Sequence, residues 1–139
     1  MAGLLLILGI SIYSKLPTFI AIDPKIQPWV NEVSVISKGN LGKNVRGIGM
    51  KTFVTKRTIG KCFMFWREIH IDSTFWRYAN YRAKVLVLAH ELAHCEKRIF
   101  HIEGKHPDGC PKHFMGPEDG GFFCNQRYWR DYVKQMQNI

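Results

Sequence analysis

Hydrophobic side chains change their spacing several times along the chain, and each change marks a predicted element. Between 26 and 37 they recur every three or four positions, which predicts a helix that backs a sheet and ends at the following glycines. Between 44 and 72 they alternate or form a dense aromatic run, which predicts strands. A main helix is predicted around the apolar run 85–89, and a closing helix over 122–136.

The last predicted strand, residues 67–72, has two unlike faces. Ile69 and Ile71 occupy one face, while Glu68, His70 and Asp72 occupy the other. Because successive side chains of a strand point to opposite faces, we interpret His70 as a residue of the sheet surface rather than a metal ligand.

The closing helix is predicted to bury aromatic side chains. Phe123, Tyr128, Trp129 and Tyr132 are the predicted core residues. The two tyrosines could instead reach a catalytic site as hydrogen-bond donors to an oxyanion, but packing is the interpretation we prefer.

The main helix carries the residues that indicate chemistry. Its first half is apolar nearly all round, which indicates a buried helix, and Asn80 is its candidate N-cap. His90, Glu91 and His94 then form an HExxH pattern. Residues four apart share a helix face, so the two histidines can offer ring nitrogens to one metal ion. Glu91, about 100° away around the helix, can act as a base without becoming a ligand.

HExxH also arises by chance. A chance pattern and a metal site differ in the free energy of burying these polar side chains. Two histidines and a glutamate on a buried helix cost several kcal/mol unless they are paired or bind a metal. We therefore interpret the pattern as a metal site.

A catalytic zinc ion normally has three protein ligands and leaves one position for water. The candidates for the third ligand follow the main helix: His101, Glu103, His106, Asp108 and His113. His101 comes seven residues after His94, so it can join the first two only if the helix ends and the chain turns back.

These residues resemble the zincins, and in part the metzincins. The metzincin pattern HExxHxxGxxH has a glycine and a third histidine where this chain has Lys97 and Phe100. The chain is also similar to small zinc metallopeptidases encoded by phages and bacteria. In these proteins the pattern HELGHC is followed by a histidine one position later than the third histidine of metzincins. His94, Cys95 and His101 match that variant. The resemblance covers about residues 69–115, and it implies that His101 is the third ligand, ahead of His106 and His113.

The resemblance extends to a turn and to a strand. The stretch 110–117, CPKHFMGP, looks like the tight turn that places a methionine beneath the zinc in metzincins, and turn-forming residues surround Met115. The alternative is that Met115 only fills a gap in the core. Zincins also have an edge strand that binds an extended substrate by strand addition, and we assign that role to Gly60–Phe65.

Composition limits the possible partners. A chain of 139 residues suits one domain, and its net charge is +9. The basic side chains are scattered, and no nucleic-acid-binding signature is present, so we expect no nucleic-acid partner. The positive charge is also compatible with binding to an anionic membrane surface or an anionic cell-envelope polymer.

The N-terminus forms a segment of its own. We divide the chain into a hydrophobic segment, 1–16, and a domain, 17–139. Residues 1–14 lack charged side chains, and their apolar core, residues 4–13, has the length of a signal-peptide core, so we expect a signal peptide or a membrane anchor. The alternative is a buried terminal element of a cytoplasmic protein.

The four cysteines allow three disulfide pairings, among which the sequence does not choose. Cys95 and Cys110 bracket the proposed third ligand, so a bridge between them would tie that loop to the main helix. Disulfides are expected if the protein is exported.

We expect a single α+β zincin-like domain: a small mixed sheet, a central metal-binding helix and a backing helix. The predicted function is peptide-bond hydrolysis by a monomer with Zn²⁺ bound to His90, His94 and His101, and with Glu91 as base. The substrate would be a protein or peptide, or alternatively a cell-wall amide. Two other functions are a zinc-stabilised domain closed by Cys110 or His106, and a basic membrane-binding protein. Neither needs Glu91, which favours the enzyme.

Overall fold

A computed structural model describes residues 17–55, 57–118 and 120–139. The predicted signal peptide or anchor, residues 1–16, lies outside this part of the chain. Among the described residues, none of the helices combines the length and apolar character needed to cross a membrane.

The described residues form a three-stranded sheet and five helices. The central strand is β3 (Glu68–Asp72), with β1 (Gly47–Lys51) parallel to it on one side and β2 (Gly60–Phe63) antiparallel to it on the other. This mixed sheet with helices confirms the predicted α+β fold class. In chain order, the elements are α1 Gln27–Ile36, β1 Gly47–Lys51, β2 Gly60–Phe63, β3 Glu68–Asp72, α2 Ser73–Tyr78, α3 Tyr81–Lys97, α4 Gly121–Arg127 and α5 Trp129–Gln137.

Helix α3 is the buried centre of the domain. The side chain of Asn80 accepts a hydrogen bond from the Ala83 N–H at 3.0 Å, which confirms the predicted N-cap. The run from Val85 to Ala89 is buried, as its all-round apolar character predicts. The helix ends where Arg98 adopts a left-handed conformation with φ of 54°, so the chain reverses direction there.

The core lies where α3 meets β3 and α1. Ile69 and Ile71 of β3 are fully buried together with Leu88 and Leu92 of α3. Helix α1 was expected on the back of the sheet, but it packs mainly against α3. The main helix is therefore enclosed on two sides, which fixes the side chains that it carries.

The opposite face of β3 is buried as well, so the prediction that His70 lies on the sheet surface was wrong. The Glu68 carboxylate accepts the backbone N–H groups of Thr18 and Phe19 at 2.9–3.0 Å and lies 2.6 Å from Nε2 of His70. The Phe19 ring then packs edge-on against His70, with ring centroids 4.8 Å apart. Strand alternation showed which residues share this face, but not that an N-terminal segment covers it.

That N-terminal segment runs along the outer edge of β1. Ile22 pairs with Ile48 in a parallel bridge, Ile48 donates to the Ala21 carbonyl, and Asp23 donates to the Ile48 carbonyl. The backbone groups of Ile48 on this edge are therefore already bonded.

The closing helix is divided into α4 and α5 at Tyr128. Tyr132 is buried as predicted, but Phe123 is 59% exposed, so its predicted place in the core was wrong. Phe123 therefore lies on the solvent side of α4.

Two disulfides join the elements around the main helix. Cys62 of β2 is bonded to Cys95 of α3, and Cys110 is bonded to Cys124 of α4. The suggested bridge between Cys95 and Cys110 is therefore absent. Cys95 faces the sheet, with its sulfur 3.7 Å from the Glu68 carbonyl oxygen, whereas Cys110 faces α4.

Candidate metal centre

Three histidine side chains converge at the end of α3. Nε2 of His90 lies 3.0 Å from Nε2 of His94 and 3.2 Å from Nε2 of His101. Zn–N bonds of about 2.0–2.1 Å at tetrahedral angles place ligand nitrogens about 3.3–3.4 Å apart. The spacing of the three nitrogens therefore fits a single metal ion.

The ring nitrogens on the far side of two of these histidines are held by backbone carbonyls. Nδ1 of His90 lies 3.0 Å from the Phe114 oxygen, and Nδ1 of His94 lies 2.5 Å from the Ile99 oxygen. A carbonyl only accepts hydrogen bonds, so each Nδ1 carries the hydrogen and each Nε2 presents a lone pair. Two lone pairs 3.0 Å apart cannot hydrogen-bond to each other, and a cation between them resolves the repulsion.

Burial keeps these ligands in the form that binds metal. Desolvation lowers the pKa of His90 to about 4, and it also lowers the pKa of His94. Both imidazoles are therefore neutral at neutral pH, and protons compete little with a metal ion.

His101 reaches the other two histidines because the chain reverses at Arg98. Ile102, which follows His101 in the chain, donates its N–H to the Met115 carbonyl at 2.9 Å. This bond ties the segment after α3 to the turn that contains the methionine.

That turn spans His113–Gly116. The Gly116 N–H donates to the His113 carbonyl at 2.9 Å, and Met115 is fully buried. The predicted tight turn is therefore present. It contacts the histidines through the Phe114 carbonyl, which accepts from His90, so the turn orients one of the three rings.

Glu91 lies between α3 and strand β2. Its side chain is 6% exposed, and burial raises the pKa of its carboxyl group to about 8. The nearby backbone N–H of Cys62 lowers the pKa of the carboxyl group and offsets part of this rise. Glu91 is not one of the three clustered residues, so the HExxH helix separates candidate ligands from the candidate base.

A cleft of about 880 Å³ opens at this site. It is lined by Gly60 of β2 and the loop before it, by residues of α3, and by the segment around the His113–Gly116 turn. The side chains that bear on its chemistry are His90, Glu91, His101 and His113.

The remaining third-ligand candidates do not join the cluster. His106 stacks on Tyr128 with ring centroids 4.0 Å apart. Asp108 accepts from the Tyr128 hydroxyl at 2.9 Å and lies 3.4 Å from Arg127. Glu103 is exposed, and His113 lines the cleft without joining the cluster.

No family model matches the chain, and no curated protein or solved structure matches it either. The site is therefore interpreted from its own geometry. Sequence reasoning named the clustered histidines, but it missed the carbonyl groups of Ile99 and Phe114 that hold two of them. Backbone groups that arrive from distant segments leave no residue-type signal.

Proposed function

We propose that this protein is a zinc metallopeptidase of the zincin type that hydrolyses peptide bonds. The observation that carries the proposal is the arrangement around α3: three Nε2 atoms converge, and a buried glutamate stands beside them without joining them. A purely structural metal site does not need this glutamate.

Zn²⁺ bound at this site would polarise the scissile carbonyl and lower the pKa of water toward about 7. His90, His94 and His101 would hold it. Glu91 would take a proton from the attacking water and pass it to the leaving amine as the C–N bond breaks. A cation nearby favours the carboxylate over the carboxylic acid, so the raised pKa of Glu91 would fall when the metal binds.

The substrate we propose is an extended peptide that adds to strand β2. The Ile59 carbonyl accepts the Asp72 N–H at 2.8 Å, so Ile59 directs its backbone groups toward β3. Successive residues of an antiparallel strand alternate in this respect, so Gly60 and Cys62 direct their backbone groups away from β3. Gly60 lines the cleft. An extended peptide there would form backbone hydrogen bonds with the strand and pass in front of the histidines.

A zinc-stabilised domain without catalysis is less well supported. It would need a fourth ligand, for which the candidates were Cys110 and His106. Cys110 is in a disulfide with Cys124, and His106 is stacked on Tyr128. Among the described residues, the clustered metal-binding side chains are the three histidines alone.

The test is hydrolysis of an unfolded protein such as casein by zinc-loaded wild type and Glu91→Gln, with zinc content measured for both. The variant keeps the shape of the side chain but cannot accept a proton. We expect full zinc content and a rate lower by about 10²–10⁴-fold. Glu103→Gln, at an exposed position outside the cleft, is the matched control and should retain its rate. Equal, non-zero rates in wild type and Glu91→Gln would refute the mechanism.

A further inference from the structure

His113 is the histidine of the cleft that the three-ligand site does not use. It is half-buried and lines the same cleft as His90, Glu91 and His101. It is also close enough to His90 for a charge on its ring to lower the pKa of His90. Its side chain therefore faces the space in which a substrate would react.

The hydrogen bond inside the turn fixes which ring nitrogen of His113 carries the hydrogen. The Met115 backbone N–H donates to Nδ1 of His113 at 3.0 Å. Nδ1 must then be an acceptor, so the neutral ring carries its hydrogen on Nε2. This is the opposite tautomer from His90 and His94, whose Nδ1 atoms face carbonyl oxygens.

The Nε2–H group of His113 is available for a ligand. Across residues 17–55, 57–118 and 120–139 it has no hydrogen-bond partner, and it is not sealed from solvent. The ring is held in place by the Met115 N–H on one edge and by the Phe114 ring, with centroids 5.0 Å apart. A donor that is already oriented needs no reorganisation during a reaction.

The position of His113 complements that of Glu91. Glu91 lies against Gly60 of strand β2, while His113 belongs to the His113–Gly116 turn, and both residues line the cleft. The two tyrosines once considered for an oxyanion are engaged elsewhere. The Tyr128 hydroxyl donates to Asp108, and the Tyr132 hydroxyl donates to the Pro111 carbonyl at 2.7 Å.

We propose that His113 is a catalytic residue whose Nε2–H donates a hydrogen bond to the scissile carbonyl oxygen as that oxygen gains negative charge. The inference rests on the proposed peptidase function. The hydrogen stays on His113 throughout, and the oxygen regains its double bond to carbon when the C–N bond breaks. The donor stabilises charge that exists only during the reaction, so its loss lowers kcat rather than raising KM.

The substitution His113→Asn separates the proposed catalytic role of His113 from its structural role in the turn. In His113→Asn, the amide oxygen can still accept the Met115 N–H, but no donor remains at the place of Nε2. We expect unchanged zinc content and thermal midpoint, an unchanged KM, and a kcat for casein lower by about 10²–10³-fold, the usual effect of losing one such donor. His106→Asn, which changes a stacked histidine outside the cleft, should keep the kcat of wild type.

A second measurement does not depend on activity. Long-range ¹H–¹⁵N correlation spectra of the zinc-loaded wild type should show His113 with its hydrogen on Nε2, and His90 and His94 with theirs on Nδ1. The Nδ1–H tautomer of His113 would overturn the proposal, as would loss of zinc in His113→Asn, which would make His113 a ligand.

The same assays distinguish failure of this inference from failure of the proposed function. If Glu91→Gln is inactive while His113→Asn keeps the full kcat, His113 has no catalytic role and the peptidase assignment stands. If the zinc-loaded wild type hydrolyses no peptide bond, the peptidase assignment fails and this inference fails with it.

Discussion

Gly60 lies directly against Glu91: a β-carbon at position 60 would come within 2.8 Å of both Cγ and Oε1 of the glutamate. No side chain fits there unless Glu91 moves. Because of this contact, strand β2 restricts the position of the candidate base.

Gly60→Ala should therefore lower hydrolysis without removing the metal. Misplacement of a reacting group by about 1 Å can cost about 10²-fold in rate, and we expect a loss of about that size in kcat. Lys61→Ala, which shortens an exposed side chain on the same strand, is the control and should keep its rate. Normal hydrolysis by Gly60→Ala would mean that Glu91 does not need its present position.

His101→Ala should weaken zinc binding far more than His106→Ala, because only His101 has a ring nitrogen beside the other two. Loss of an outer-shell partner typically costs about 10–100-fold in affinity, and loss of a direct ligand should exceed that. Competition titrations against a chromophoric chelator would compare the variants. A larger loss for His106→Ala would show that the cluster is not the binding site.

The stability of the zinc-free protein should depend on pH through Glu91. Its pKa is about 8 in the folded state, against 4.5 as the ordinary value, so the folded state holds the proton more tightly between these values. Stability from this group is fully present below pH 4.5 and is lost as pH rises through 8. Each pKa unit corresponds to about 1.36 kcal/mol, so the effect amounts to a few kcal/mol.

Glu91→Gln removes this titration. The free energy of unfolding of the variant minus that of wild type should therefore be larger at pH 8.5 than at pH 5. Urea unfolding with a chelator present, at both pH values, gives the comparison. Parallel pH dependence in the two proteins would show that Glu91 is not a buried, titrating group.

Loss of the Cys62–Cys95 disulfide should cost more stability than loss of Cys110–Cys124. The bonded cysteines are 33 and 14 residues apart, so the first bridge restricts the unfolded chain more. The chain-entropy relation gives about 4 and about 3 kcal/mol. Urea unfolding of the two paired Cys→Ala variants under non-reducing conditions measures both. The reverse order would indicate that native contacts, rather than loop closure, decide the effect.

Local patterns were sufficient where neighbouring residues determine the structure. Asn80 was recognised as a cap because the cap bonds to a residue three positions away. His90 and His94 were placed on one helix face because the period of the helix fixes their relation. The turn around Met115 was predicted from the glycine and prolines near it.

Contacts between distant segments were not predictable in this way. His70 is buried because Phe19 covers it, and nothing in the alternation of β3 signals a contact 51 residues away. The disulfide pairing depends on which way Cys95 faces in the folded domain. The break at Tyr128 has no glycine or proline to mark it.

The bonds between Ile48 and the segment before α1 have a consequence for association. An exposed sheet edge is a template for any extended chain, including another copy of the same protein. Among the described residues, Ala21 and Asp23 already occupy the edge at Ile48, whereas strand β2 has no such neighbour. A polypeptide that adds to this sheet is therefore directed to the edge beside Glu91. Self-association through that edge would bring a second copy of the chain beside the cleft, so a dimer formed in this way would block the proposed peptidase activity.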